Sequence, residues 1–208
     1  MLYLKQNNIY NHPEFYGFLA MSILAVVYKK RYLAIILFII IIFLMFFHRN
    51  PALSLKEPDE NILYSPASGK IIDISPKGDN LLKISIFLSI SDNHTQYIPM
   101  RCKKIGELFK YGYFYFAQKM EGSDYNQSLS HLLETKYGNI TIIQYTGFFT
   151  RRIYSLTKND RLYNVGDRLG YIRFGSRVDI ILPLDKFDSV FVKKGQHIKA
   201  LEPLAMFK

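Results

Sequence analysis

Along the chain the apolar positions fall into two regimes. Residues 15–28 (FYGFLAMSILAVVY) and 32–47 (YLAIILFIIIIFLMFF) are apolar almost all round, separated by Lys29-Lys30-Arg31 and closed by His48-Arg49-Asn50-Pro51. A helix without a polar face belongs in a membrane or in the centre of a large protein. Each run falls short of the roughly 20 residues of a full span, so two readings stand. One is a helical hairpin that dips into the bilayer, its Lys and Arg snorkelling to the headgroups. The other is a single anchor over 32–47, with the basic triplet held inside. No small-residue cleavage site follows, which argues against a removable signal peptide. Residues 1–14 form a polar and aromatic lead-in, with Pro13 placed to open the first helix.

After Pro51 the pattern changes. A charged, Pro-containing linker over 51–61 gives way to short apolar runs bounded by Gly, Pro, Asn and Asp. Residues 70–74, 81–88, 139–145, 151–156, 171–174 and 178–182 predict strands, being rich in Ile, Val, Tyr and Phe. Residues 114–119 fit a strand or a short helix, and 128–134 a helical turn. The tail over 188–207 carries two short β runs around Lys193-Lys194-Gly195-Gln196. No repeat period stands out. The expected organisation is a membrane-associated helical region over 1–50, the linker, and a mainly β domain over 62–208, built as a compact sandwich or barrel.

Charge and cysteine content narrow the chemistry. Lys and Arg total 27 against 17 Asp and Glu, a formal +10, which favours an anionic partner. The aromatics sit in apolar runs rather than among basic clusters, so an anionic membrane is preferred to nucleic acid. A single cysteine, Cys102, excludes an intrachain disulfide and a multi-cysteine metal site. The five histidines include no pair at metal-ligand spacing, so no metal is expected.

Three segments are more specified than packing demands. Ser65-Pro66-Ala67-Ser68-Gly69-Lys70 is a turn leading into a strand. Asp92-Asn93-His94 follows a strand end, where His94 can act as a base with Asp92 fixing its tautomer. Gly170 to Pro183 (GYIRFGSRVDIILP) places two β runs around Gly175-Ser176, with Arg173 and Arg177 on either side and Arg151-Arg152 upstream. On these residues alone the Gly-Ser pair reads as a bulge or tight bend. The chemical alternative is that the Ser176 hydroxyl attacks the preceding carbonyl.

Taken in order, Ser65-Pro66-Ala67-x-Gly69-Lys70, Asp92-x-His94, Gly147 with Arg151-Arg152, and GDRLGYIRFGSRVDIILP over 166–183 resemble the short, membrane-anchored phosphatidylserine decarboxylase proenzymes. The resemblance runs from Phe47 to the C-terminus. It implies self-cleavage between Gly175 and Ser176 into chains 1–175 and 176–208, which stay associated. Ser176 would become a covalent pyruvoyl group that forms a Schiff base with the serine amine and acts as electron sink while carbon dioxide leaves. The product would be phosphatidylethanolamine. His94 is the expected general acid and base, and Arg151, Arg152, Arg173 and Arg177 are candidates for the lipid phosphate or carboxylate. The catalytic domain would sit on the membrane, facing the cytoplasm, and a homodimer is left open.

Two positions depart from the family. Ser68 stands where the family carries an Asp taken to orient the processing histidine, and Asp92 is the candidate substitute. In a Ser-His-Asp relay, losing the orienting carboxylate costs orders of magnitude in rate. Asn126-Gln127-Ser128 stands where the family tends to have Asn-Glu-Arg. Two alternatives therefore stay open. One is an uncleaved, membrane-tethered homologue that binds acidic lipid; the other is a decarboxylase for a different amino-phospholipid headgroup.

Overall fold

The computed structural model describes residues 13–47, 53, 55–118, 120–148, 152–172 and 176–208. The chain divides into two compact units, Met1–Ala52 and Leu53–Lys208. In the first, α1 (Pro13–Val27) and α2 (Arg31–Phe47) form a helical hairpin. The link closes with Lys29 in the left-handed region at φ 54°. The Lys29 N–H reaches Val26 O at 2.9 Å and the Lys30 N–H reaches Ala25 O at 2.8 Å, the pair of bonds that ends a helix and satisfies its last carbonyls. Leu37, Ile41 and Leu44 recur at helical spacing and are buried, as are Phe15 and Ala25 of α1. Ile35, Ile36, Phe38, Ile39 and Ile42 are exposed, a far larger apolar surface than a solvated monomer carries. Among the described residues no helix is long and apolar enough to cross a membrane.

The second unit is mainly β. Its strands are β1 (Ile62–Tyr64), β2 (Gly69–Pro76), β3 (Leu81–Leu88), β4 (Thr95–Tyr97), β5 (Cys102–Lys110), β6 (Ser128–Thr135) and β7 (Gly138–Tyr145). They continue with β8 (Ile153–Ser155), β9 (Arg161–Tyr163), β10 (Arg168–Ile172), β11 (Ser176–Pro183), β12 (Phe187–Val190), β13 (His197–Ile198) and β14 (Pro203–Phe207). One turn of helix, α3 (Met120–Ser123), precedes β6. An eight-stranded sheet has the order β13-β2-β3-β11-β7-β6-β5-β9, flanked by two three-stranded sheets, β4-β10-β8 and β1-β14-β12.

Strand β11 lies inside the large sheet, antiparallel to β3 on one side and β7 on the other. Val178, Ile180 and Leu182 point into the main core with Ile84, Ile86, Ile140 and Ile142, all at 0% exposure. On the opposite face Ile181 packs with Ile143 and Tyr145. Burial on both faces explains why the strand ends in the continuous apolar run Ile180-Ile181-Leu182, with Arg177 and Asp179 buried on the face of Ile181.

The strands expected over 70–74, 81–88, 139–145 and 178–182 correspond to β2, β3, β7 and β11. Of the run 171–174, residues 171 and 172 end β10, and 173 and 174 lie outside the described residues. The short β8 lies inside 151–156, whose residue 151 is likewise outside them. Residues 128–134, expected as a helical turn, are instead strand β6, paired with β5 and β7. Leu129, His131 and Leu133 turn inward while Leu132 and Glu134 are exposed, so pairing on both edges overrides the helix-tolerant composition. The run at 114–118 is irregular, and the tail holds three strands rather than two. Leu53 and Leu55 pack against a cluster of Tyr64, Tyr97 and Leu201, so part of the expected linker belongs to the β unit.

Ile180→Ala removes a fully buried branched side chain and is expected to cost about 2–5 kcal/mol in urea unfolding. Leu162→Ala, at a position 71% exposed, should stay within about 0.5 kcal/mol. Equal losses at the two sites would contradict this placement of the core.

Candidate active site

Strand β10 ends at Ile172 and β11 begins at Ser176, so the chain leaves one small sheet and enters the large one within three residues. Those three include Arg173 and Gly175, which lie outside the described residues, as does Arg151. Ser176 pairs with Leu88, the last residue of β3. Its side chain is fully buried, and its Oγ has no hydrogen-bond partner among the described residues. A buried hydroxyl in that state costs about 1–3 kcal/mol. Its retention calls for an explanation other than stability.

From Leu88 the chain runs through a short loop to His94, which is buried. The His94 ring places Nδ1 2.9 Å from the backbone carbonyl of Asp92. A carbonyl only accepts, so Nδ1 carries the hydrogen and Nε2 is the nitrogen able to take up a proton. The His94 carbonyl accepts the Ile172 N–H at 3.1 Å and the Gln96 Nε2–H at 2.8 Å. The segment entering the Gly-Ser junction is thus tied directly to the histidine. Alongside, β4 pairs with β10 through Thr95 and Tyr171.

Asp92 does not meet His94 through its carboxylate. Oδ2 accepts the Ser89 N–H and hydroxyl at 2.8 and 2.7 Å, and Oδ1 lies 2.8 Å from Nε2 of His197. Burial pushes the Asp92 pKa up, but the Ser89 bonds and the His197 contact together hold it below the usual value. His197 comes from β13, a distant segment with no local sequence signal. It braces the loop whose backbone orients His94.

Behind the loop runs a second buried network. Gln144 donates through Nε2 to Gln96 Oε1 at 2.6 Å, and Gln144 Oε1 lies 2.7 Å from Nε2 of His131. Gln144 has already used its amide nitrogen as donor, so His131 Nε2–H is the donor to its oxygen. Burial, the largest influence, pushes the His131 pKa down to about 4, so the ring is neutral at pH 7. Below it, fully buried Lys104 binds Glu107 at 2.5 Å, Thr157 Oγ1 at 3.0 Å and Ser155 Oγ at 3.1 Å. Apart from Gln96, two residues from His94, no local signal distinguishes these residues.

Ser68 is half-buried, and its hydroxyl accepts the Ala200 N–H at 2.9 Å. Its segment is stitched to both neighbours: the Tyr97 N–H reaches Pro66 O, and the Leu201 N–H reaches Ser65 O. Arg177, expected to face a lipid anion, is fully buried. Its guanidinium binds Ser123 and Asp124, lies 3.0 Å from Asp179, and stacks 4.1 Å over the Tyr145 ring. Arg152 is exposed. Asn126 is buried and holds the backbone of Tyr115 and Thr146. Burial pushes the Cys102 thiol up to about 12, leaving it unreactive. A cleft of about 400 Å³ lined by Met100, Arg101, Cys102 and Glu134 lies toward the opposite end of the sheet and includes neither Ser176 nor His94.

A buried serine at a strand junction, beside a loop whose buried histidine has a fixed tautomer, marks the start of β11 as the candidate site of an enzyme. Comparison with known proteins names the family: residues 40–205 match phosphatidylserine decarboxylase. The chain is 31% identical over 203 residues to the phosphatidylserine decarboxylase proenzyme of Carboxydothermus hydrogenoformans, covering 94% of each. It is 35% identical over 199 residues to that of Desulfotalea psychrophila, covering 91% of each. With the proenzyme of Ehrlichia chaffeensis the identity is 35% over 209 residues, covering 95% of this chain and 90% of the relative. The chain belongs to the phosphatidylserine decarboxylase family, whose members are carboxy-lyases.

His131 gives a pH prediction. Its folded pKa, about 4, lies below the unfolded value near 6.5. Its contribution is therefore complete above pH 6.5 and is lost as pH falls from there toward 4, by up to about 3 kcal/mol. Replacing it by Gln should flatten the acid limb of stability between those values in urea unfolding. An acid limb unchanged from the parent would show that His131 is already solvated.

Proposed function

We propose that this protein cleaves itself between Gly175 and Ser176 and then decarboxylates phosphatidylserine with the pyruvoyl group left on the new chain. The observation that carries this reading is Ser176 itself, whose buried hydroxyl has no partner among the described residues and stands where the chain passes from β10 to β11. That hydroxyl suits a pyruvoyl precursor, since nothing among the described residues engages it in the uncut chain.

In self-cleavage His94 Nε2 takes the Ser176 hydroxyl proton as Oγ attacks the Gly175 carbonyl carbon. The C–N bond breaks, the amine of residue 176 gains the proton, and an ester links the two residues. Removal of the Ser176 Cα proton expels the Gly175 carboxylate and leaves dehydroalanine. Tautomerisation to the imine, addition of water and loss of ammonia complete the conversion. The pyruvoyl ketone supplies an electrophilic carbonyl and electron sink, which no side chain provides. His94 remains to deliver a proton from Nε2 to the carbon that has lost carbon dioxide. Its Nδ1–H bond to Asp92 O keeps the tautomer through both stages.

Other features support the wider reading. The fragment 176–208 supplies β11, β13 and β14 to sheets shared with β3, β7, β2 and β1, so the two pieces stay joined after the cut. The apolar outer surface of the helical hairpin and the net charge of +10 suit attachment to an anionic bilayer, where the lipid substrate resides.

Intact-mass measurement tests the cleavage. The parent chain should resolve into 1–175 and an amine-blocked 176–208, Ser176→Ala should stay whole, and His94→Ala should process at least about a hundredfold more slowly. A parent chain that stays single after long incubation would favour the uncleaved, lipid-binding homologue. Ser68→Asp returns a carboxylate to the segment and should speed cleavage at least about tenfold. No acceleration would mean that position 68 has no part in activating His94.

A further inference from the structure

Beyond β5 the chain enters an aromatic segment that the chemistry above does not use. Leu108, Tyr111, Tyr113 and Phe116 are exposed, Tyr111 at 85%, and Tyr125 and Phe148 join them. The backbone that carries them is held firmly. The Tyr113 N–H binds Tyr125 O at 2.9 Å, and the Gln127 N–H binds Tyr113 O at 3.0 Å. Buried Asn126 accepts the Tyr115 N–H at 2.7 Å and donates to Tyr115 O and Thr146 O at 2.9 and 2.8 Å. A Cβ on Gly112 would collide with the backbone at Tyr125, so only glycine permits this approach. Phe116 and Phe148 stack with centroids 4.7 Å apart. Rings held out into water on a braced backbone mark a contact surface.

Strand register gives its position. Lys110 pairs with Ser128, Ser128 with Tyr145, and Tyr145 with Arg177, one row across the sheet. The segment therefore leaves the sheet at the end where Ser176 lies, three strands away, or about 14 Å. Arg177, the neighbour of Ser176, binds Ser123 and Asp124 of the same region. Tyr settles at the headgroup level of a bilayer, and Phe and Leu line the apolar side of elements that lie in the interface. Lys110, next to Tyr111 in the chain, is exposed, matching acidic headgroups.

We propose that the Leu108–Phe116 aromatic segment, with Tyr125 and Phe148, is a bilayer-contact surface that brings the Ser176 end of the β domain onto an acidic lipid membrane. This rests on the reading that the substrate is a membrane phospholipid. The β domain then has its own contact with the bilayer, in addition to the helical hairpin, and the headgroup reaches the site while its acyl chains stay in the membrane.

The chain contains no tryptophan, so one introduced residue reports its own surroundings. Tyr113→Trp and, as control, Leu162→Trp on β9 would be made in the full chain and reconstituted in phosphatidylcholine–phosphatidylglycerol vesicles with brominated acyl chains. Tyr113→Trp should be blue-shifted and quenched at least twofold, with Leu162→Trp unquenched. An unquenched, water-like Tyr113→Trp would overturn the proposal. So would a blue shift without quenching together with crosslinking to a second copy, which would make the surface a dimer interface. The triple variant Tyr111→Ser, Tyr113→Ser, Phe116→Ser should lose at least about tenfold in kcat/KM on vesicle phosphatidylserine and keep parent activity on monomeric dihexanoyl phosphatidylserine. Equal loss on both substrates would contradict docking. If the parent turned over neither substrate while Tyr113→Trp was quenched, the substrate reading would fail and the contact surface would stand.

Discussion

Strand β11 is bonded along its length to β3 and β7, and the rest of the β domain depends on that two-sided pairing. It brings Val178, Ile180 and Leu182 into the main core and sets Ser176 opposite the last residue of β3. A strand held by neighbours on both sides and buried on both faces has little freedom to slip, since a one-residue shift would carry Arg177 and Asp179 into the apolar layer. The position of Ser176 is thus a consequence of packing along the whole strand.

The same arrangement brings the loop that carries His94 to the start of β11. Because β3 and β11 are partners, the loop leaving β3 begins beside Ser176, and β4 and β10 pair close by. The His94 carbonyl takes its two hydrogen bonds from that neighbourhood, and the ring is fixed by the Asp92 carbonyl. A main-chain acceptor can set a tautomer as well as a carboxylate can, but it carries no full charge to stabilise an imidazolium. The Asp92 carboxylate goes instead to Ser89 and His197, bracing the loop from outside.

Charged groups inside the domain are similarly committed. Arg177 and Lys104 are fully buried yet surrounded by carboxylates, hydroxyls and carbonyls, as the cost of an unpaired buried charge requires. Charge density along the chain therefore overstates what is available to an anionic lipid. Lys110, by contrast, is exposed at the surface.

The sequence by itself determined the two apolar runs, the β character of the second unit and the family, since these rest on local composition and on contiguous motifs such as Arg173 to Asp179. It marked Ser176 and His94 as the pair to watch for the same reason. Tertiary structure alone decided that Arg177 faces inward, that 128–134 is a strand, that Asp92 orients His94 through its main chain, and that His197, Gln96, Gln144 and His131 surround the loop. The physical reason is distance along the chain. Asp92 meets His197, and Gln96 meets Gln144, only because antiparallel strands bring them together, and neither a local pattern nor a charge count records which strands will pair.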